Sequence, residues 1–488
     1  MPAVRQRPWL RTVTEREPLI AAAAALATAV LAFAGAHKLG STGLIVPLAV
    51  VLAVIVMRRP VAMVAIAVGL AIVCEGSTFG FFSFTSHLYD QFYKGLTPLD
   101  ALVALAVLAV GLDLVRQRRA LVIPRPLALP LALLLLAMIA GAVTGHAAGA
   151  STRSVVLSEH VLAYLLLLPI AVANLPIGRR QAMIAVVAVS ALAILKGLLG
   201  MIEVLGHYGT PIEGHATLTY YEPTANWLIM LALLGVVAFA LARVRLPMWA
   251  LVGSPLLLAS LVLSYRRSFW IAAVLALLLM IVLGSTPRGR RMLVPIVLLT
   301  ACAVWFLGSV NLESSGSPVL RRVASLSPSK LEANAQDRYR LDERANVLGA
   351  IGQHPITGLG MEVPWSADHR PLSVEHPEGR MYVHFAALWF WLKLGILGLA
   401  AYVSVLVGSI VLAWRVWRGD GEQVFRAFGL ASLVSIVSLA AIETTASFTG
   451  IDARFTTLLG AQIGLLALIA RSPQPAGEDT ARSASLAM

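Results

Sequence analysis

Long apolar runs alternate with short polar breaks from near the N-terminus almost to the end of the chain. The runs fall at roughly 18–36, 41–57, 60–75, 98–115, 126–145, 155–175, 181–204, 223–243, 246–264, 269–284, 292–309, 383–413, 427–447 and 455–470. Each is near the length of about 20 residues that carries a helix across a hydrocarbon core of about 30 Å. Inside lipid every backbone polar group needs an internal partner, so the spans are expected to be helices. The pattern predicts an all-α polytopic membrane protein with about 14 transmembrane helices (12–14) and one large extracytoplasmic loop. Its parts are a tail at 1–17, helices over 18–308, the loop at 309–382, helices over 383–471 and a tail at 472–488.

The loop holds most of the polar character. Leu341, Ala345, Leu348 and Gly352 recur in it at helical spacing. They predict an amphipathic helix over 334–353 lying on the membrane domain. Pro355 and the glycines of HPITGLG then end it. Gly358-Leu359-Gly360 lacks the strand–turn–helix setting of a dinucleotide site. No long internal repeat is visible, and its absence weighs against a two-fold transporter.

Composition agrees with a membrane class. Hydrophobic residues make up 58% of 488 and charged residues 13%, with a mean hydropathy of +0.82. Soluble domains are nearer a quarter charged. A net charge of +13 would suggest nucleic acid in a soluble protein. Here the positive-inside rule accounts for it, and no nucleic-acid partner is expected. With a cytoplasmic N-terminus, about 22 arginines fall on inner segments, against six basic residues on the short outer ones. Both termini are therefore expected in the cytoplasm, with the large loop on the outer side of the membrane. The basic stretch MPAVRQRPWLRTVTERE reads as a tail before a first span, not a cleaved signal. Cys74 and Cys302 lie inside apolar runs and read as core residues.

Arg266 and Arg267, in LSYRRSFW, run against this bias, because they face outward between two spans. Such charge at a membrane boundary is either functional or a pair of snorkelling side chains.

Three segments carry a family resemblance. LSYRRSFW, QHPITGLG and VHFAALWFWLKLGILGLAAY stand in order around the large loop. Together they resemble the superfamily of O-antigen ligases and O-antigen polymerases over roughly residues 180–470. Arg266 stands where the family has serine, His384-Phe385 replaces a histidine–asparagine pair, and YYEPTANWL is a displaced form of another family segment. The resemblance implies a fold like the multi-spanning type-C glycosyltransferases. It also implies transfer or polymerisation of glycans carried on undecaprenyl diphosphate, to a glycan or lipid-glycan acceptor, among membrane lipids.

For that chemistry a diphosphate leaving group needs fixed cations, and arginine's planar fork suits phosphate oxygens. Arg267 is the first choice and Arg266 its neighbour. From the loop, Arg340 matches best, with Arg338 close behind, unless Asp337 and Glu343 make this a solvated helix face. Lys196 and Glu203, seven residues apart in one span, form a pair that binds diphosphate and sugar or else snorkels. His384 is the expected general base, since imidazole ordinarily titrates near ambient pH, and Glu222 is a second base candidate. Tyr220, Tyr221, Trp365 and Trp389 are candidates for stacking on sugar, or for the aromatic belt.

The sequence has no outer D-x-D pair, no His/Cys cluster and no Walker segment, so neither metal nor cofactor is expected. Two other classes stay open. A flippase for lipid-linked oligosaccharide would use outward cations too, and a non-catalytic scaffold would tolerate loss of His384 and Arg267.

Overall fold

The structure is a computed structural model. It describes residues 58–74, 83–90, 96–206, 211–212, 216–217, 223–244, 246–284, 291, 302, 335–372, 379–419 and 421–471. The expected spans at 18–36, 41–57 and 292–309 lie essentially outside the described residues, as do Tyr220, Tyr221, Glu222 and both tails.

Eleven of the expected spans appear as helices. These are α1 (Pro60–Val73), α2 (Pro98–Arg116), α3 (Arg125–Ala147), α4 (Thr152–Ala173), α5 (Arg179–Gly206) and α6 (Pro223–Leu241). Then come α7 (Met248–Val262) and α8 (Arg267–Gly284), the loop helix α9 (Ala335–Gln353), and α10 (Ala386–Arg418), α11 (Gln423–Ile442) and α12 (Ala453–Arg471). Among the described residues, nine helices are long and apolar enough to cross a membrane, while α1 and α7 are shorter. The chain is a multi-pass membrane protein. The all-helical expectation holds apart from one ladder in which Pro211–Ile212 pairs antiparallel with Ala216–Thr217.

Local chemistry sets several helix ends. Pro98 sits at the start of α2, where a missing N–H costs nothing, and Thr97 and Asp100 form a reciprocal capping box before it. At the other end of the bundle Asn174 closes α4. Its amide donates to Val122 and Ile170 carbonyls at 2.9 and 2.8 Å.

Helix α10 is central, packing against α3, α11, α12 and α9. It is also broken. Gly395 has φ +68° and ψ −164°, so the helical ladder lapses there. The HPITGLG segment fills the gap: Leu359 N–H donates to Leu392 O at 2.7 Å and Ile396 N–H donates to Ile356 O at 3.0 Å. Met361 N–H reaches Gly141 O of α3 at 3.1 Å. A Cβ on Gly395 would stand 2.1 Å from Ile356 O, and one on Gly360 2.3 Å from Gly145 N. Glycine is required at both places because backbone meets backbone. The loop is thus fastened into the bundle, and irregular backbone at this depth keeps its polar groups paired.

The loop helix lies close to where the pattern put it, but the opposite face is buried. Leu341 and Leu348 are 47% and 42% exposed, and Gly352 is exposed too. The buried stripe is Tyr339, Glu343, Asn346, Val347, Ala350 and Ile351. An offset of two residues turns a helix by about 200°. Buried polar groups decided the matter. Asn346 accepts from the His369 and Arg370 backbone at 2.8 and 2.9 Å and donates to Arg370 O at 2.8 Å. The reading of both cysteines as core residues holds only for Cys74; Cys302 is exposed.

Candidate active site

LSYRRSFW forms the tight turn between α7 and α8. Leu263 ends one helix, and Arg267 opens the next. Ser264 braces the turn by donating to Leu261 O at 2.7 Å. Tyr265 is held at φ +52°, a left-handed conformation rare for a non-glycine residue. Arg267 therefore occupies the first turn of α8, where the helix dipole opposes a cation and favours an anion.

Its partner comes from the loop helix. Arg267 Nη2 donates to both oxygens of Asp337, at 3.0 and 2.7 Å. Asp337 also faces Arg340, whose Nη1 lies 3.5 Å from Oδ1. Two cations assigned from sequence to one role thus converge on a single carboxylate. Arg338 is exposed beside them, and Arg266 is half-buried with its N–H 3.3 Å from Ser264 Oγ.

His384 stands just before α10 and is 8% exposed. Glu343 of the loop helix, fully buried, holds it twice. One Glu343 oxygen accepts the His384 backbone N–H at 2.9 Å, and both lie 3.1 Å from Nδ1. A carboxylate only accepts, so Nδ1 donates its ring hydrogen to Glu343. Tyr339 and Tyr382 fix the ring edge-on, at 5.8 and 4.9 Å between centroids. Tyr382 is in turn anchored by donating to Ser447 O at 3.2 Å. Phe385, in place of the family's asparagine, has the Arg344 guanidinium over its ring at 5.4 Å.

Sequence reasoning had weighed Asp337 and Glu343 only as surface neighbours of Arg340. Their spacing was the available signal. Asp337, Arg340 and Glu343 recur every three residues beside Tyr339.

Other candidates lie elsewhere. Lys196 is 1% exposed and donates to Val73 O, at the end of α1, at 3.2 Å. Glu203 is buried on the same face of α5. Trp365 is 1% exposed and donates to Tyr382 O at 3.1 Å, so it is a pillar of the loop, neither a belt residue nor a sugar platform. Trp389 lines a cavity between α4, α10 and the loop.

The family model described as O-antigen ligase matches residues 252–403. The matched stretch runs from α7 to the middle of α10. It contains Arg267, Asp337, Arg340, Glu343, His384 and the Gly395 break. No curated protein matches the chain. The chain thus carries an O-antigen ligase family domain, and that assignment implies a membrane enzyme of the glycan ligase or polymerase kind, acting on lipid-linked glycans.

Proposed function

We propose that the protein transfers a saccharide from a polyprenyl-diphosphate carrier to an acceptor hydroxyl at the outer face of the cytoplasmic membrane, without a metal and with inversion. The observation that carries this reading is that one helix supports both halves of the chemistry. Asp337 on α9 gathers Arg267 and Arg340, and Glu343 on the same helix orients His384. Six residues of helix rise about 9 Å, the scale on which a diphosphate and an attacking hydroxyl flank one sugar.

In the reaction, the acceptor oxygen attacks the anomeric carbon as the bond to the phosphate oxygen breaks. A single displacement inverts that carbon. The hydroxyl proton passes to His384 Nε2, and Glu343 stabilises the resulting imidazolium. Charge developing on the departing diphosphate is met by Arg267 and Arg340, fixed donors in a water-poor site. Arg266 and Arg338 extend the positive surface beside them. Glu222 is kept as a second base and Tyr221 as a substrate-binding residue, while Lys196 as a diphosphate ligand and Glu203 as a sugar ligand share one buried face of α5.

The test is transfer by purified protein in lipid nanodiscs, with a polyprenyl-diphosphate-linked glycan as donor, with and without EDTA. Arg267→Ala and His384→Ala should each lower turnover by about 100-fold or more, and EDTA should change nothing. Variants that match wild type would sink the site assignment. If wild type flips the lipid-linked glycan between leaflets but transfers none, the flippase reading replaces this one.

A further inference from the structure

A cavity of about 220 Å³, lined in part by Tyr382, is walled by α4, α10, the loop and the turn at Gly450 and Ile451. Its chemistry-bearing lining is Ser158, His160, Glu362, Tyr382, Trp389 and Lys393. We propose that this cavity is a sugar subsite that holds one ring of the acceptor saccharide. The inference rests on the transfer reaction above, and adds where and by what the acceptor is recognised.

Three observations point to it. The first is the mixture of groups. An aromatic surface beside a carboxylate, an ammonium and a hydroxyl suits a ring with apolar C–H faces and a rim of hydroxyls. Drug-sized pockets run from about 300 to 1,000 Å³, so this smaller volume fits a single ring better than a chain.

The second is strain. Glu362 is held at φ +59°, beside the glycines of a segment where glycine would fit without cost. A side chain kept in that conformation is one whose carboxylate is needed. The same turn brings Glu362 onto Ser158, which donates to it across the cavity wall.

The third is position. Tyr382 lines the cavity and also stands edge-on to His384, 4.9 Å between ring centroids. A saccharide ring seated there has its hydroxyls one side chain away from the base.

The walls are fixed in advance. Lys393, 2% exposed, donates to Val363 O and stands 3.8 Å from Met381 Sδ, and Glu362 offsets its charge. His160 has protein partners on both nitrogens: Leu157 O on one and Asp100, 3.4 Å away, on the other. With both nitrogens engaged, it offers the cavity its ring surface. A bare phosphate is a poor occupant, since it would meet the Glu362 carboxylate and a lysine whose charge is already offset. A neutral polyol meets neither objection.

The experiment is steady-state transfer by the full chain in nanodiscs. The donor is a polyprenyl-diphosphate-linked glycan, the acceptor is a fluorescent lipid-anchored oligosaccharide, and each is varied independently. Glu362→Gln and Trp389→Leu should raise the acceptor KM by about 10-fold or more and leave the donor KM within about 2-fold. Glu362→Gly gives a sharper arm. It relieves the left-handed strain and removes the carboxylate altogether, and the acceptor KM should rise as in Glu362→Gln. An unchanged acceptor KM in these variants, or a rise in donor KM instead, overturns the subsite while the transfer reaction stands. Absence of transfer by wild type overturns both.

Discussion

The two ends of the helix bundle use basic residues in opposite ways. At the arginine-rich end, cations are spent on helix termini. Arg471 donates to Ala173 O at 3.0 Å, Arg119 to Asn174 O at 3.3 Å, and Arg426 to Trp417 O at 3.2 Å. Carbonyls at helix C-termini lack intrahelical partners and carry the negative end of the dipole, so these bonds are local repairs. At the loop end, Arg267 pairs with a carboxylate on a separate helix, Arg340 faces the same carboxylate from three residues along that helix, and Arg267 stands at a helix start, where the dipole works against it. Capping at the loop end falls to other residues. Arg454 binds Ala71 O and Ile72 O at 2.6 and 3.1 Å, and Lys196 binds Val73 O at 3.2 Å, together closing α1. Charge that closes a helix reads as structure, and charge placed against the dipole and held by a borrowed acid reads as chemistry.

If that division is right, the largest effect comes from the acid that holds the base. Glu343→Gln keeps an acceptor for the His384 backbone N–H but removes the charge facing the imidazolium. Turnover should drop by about 100- to 1,000-fold, with donor and acceptor KM nearly unchanged. Glu343→Asp should recover part of the rate. A loss of only a few-fold in Glu343→Gln would make Glu343 a prop for the chain before α10 and would blur the contrast between the two ends.

Next in size is Arg454→Met, a capping residue at the loop end itself. It orphans two buried carbonyls of α1, and each costs about 1–3 kcal/mol. Detergent-solubilised protein should lose about 2–4 kcal/mol of stability, read as a lower unfolding temperature. Turnover per folded molecule should hold. A fall in turnover with stability intact would mean that this end does not separate structure from chemistry.

Much of this was legible in the pattern of residues. Apolar length located the described helices to within a few residues, because a hydrocarbon slab imposes nearly one solution on such runs. The helix over 334–353 was placed almost to the residue, and Arg267 and His384 were picked out by charge, position and motif. What escaped was the rotation of α9. Leu341 and Leu348 form a legible apolar stripe, but the buried face is set by Glu343 and Asn346, whose hydrogen bonds go to His384 and the 369–370 backbone. Periodicity counts apolar positions and cannot see a buried acid whose partner lies 41 residues away. The break in α10 was hidden for a similar reason. Gly395 and Gly398 look alike in sequence, and only the seating of Ile356 against Gly395 tells them apart.

The smallest effect belongs to Arg471→Met, and it sharpens the comparison by being small. The residue is exposed and makes a single bond to the end of α4. A cation at a helix C-terminus contributes about 0.3–1 kcal/mol at such a site, screened by salt. Stability should therefore fall by less than about 1 kcal/mol, the difference should shrink as salt rises, and turnover should match wild type. Arg267 tests the opposite term of the pair. At the start of α8 it gains nothing from the dipole but is bonded twice to Asp337, so Arg267→Met should cost transfer per folded molecule beyond whatever stability is lost with that pair. If both arginines cost stability alone, the two poles differ in geometry but not in purpose. If only Arg471 does, the arginine pair in LSYRRSFW is there for the substrate.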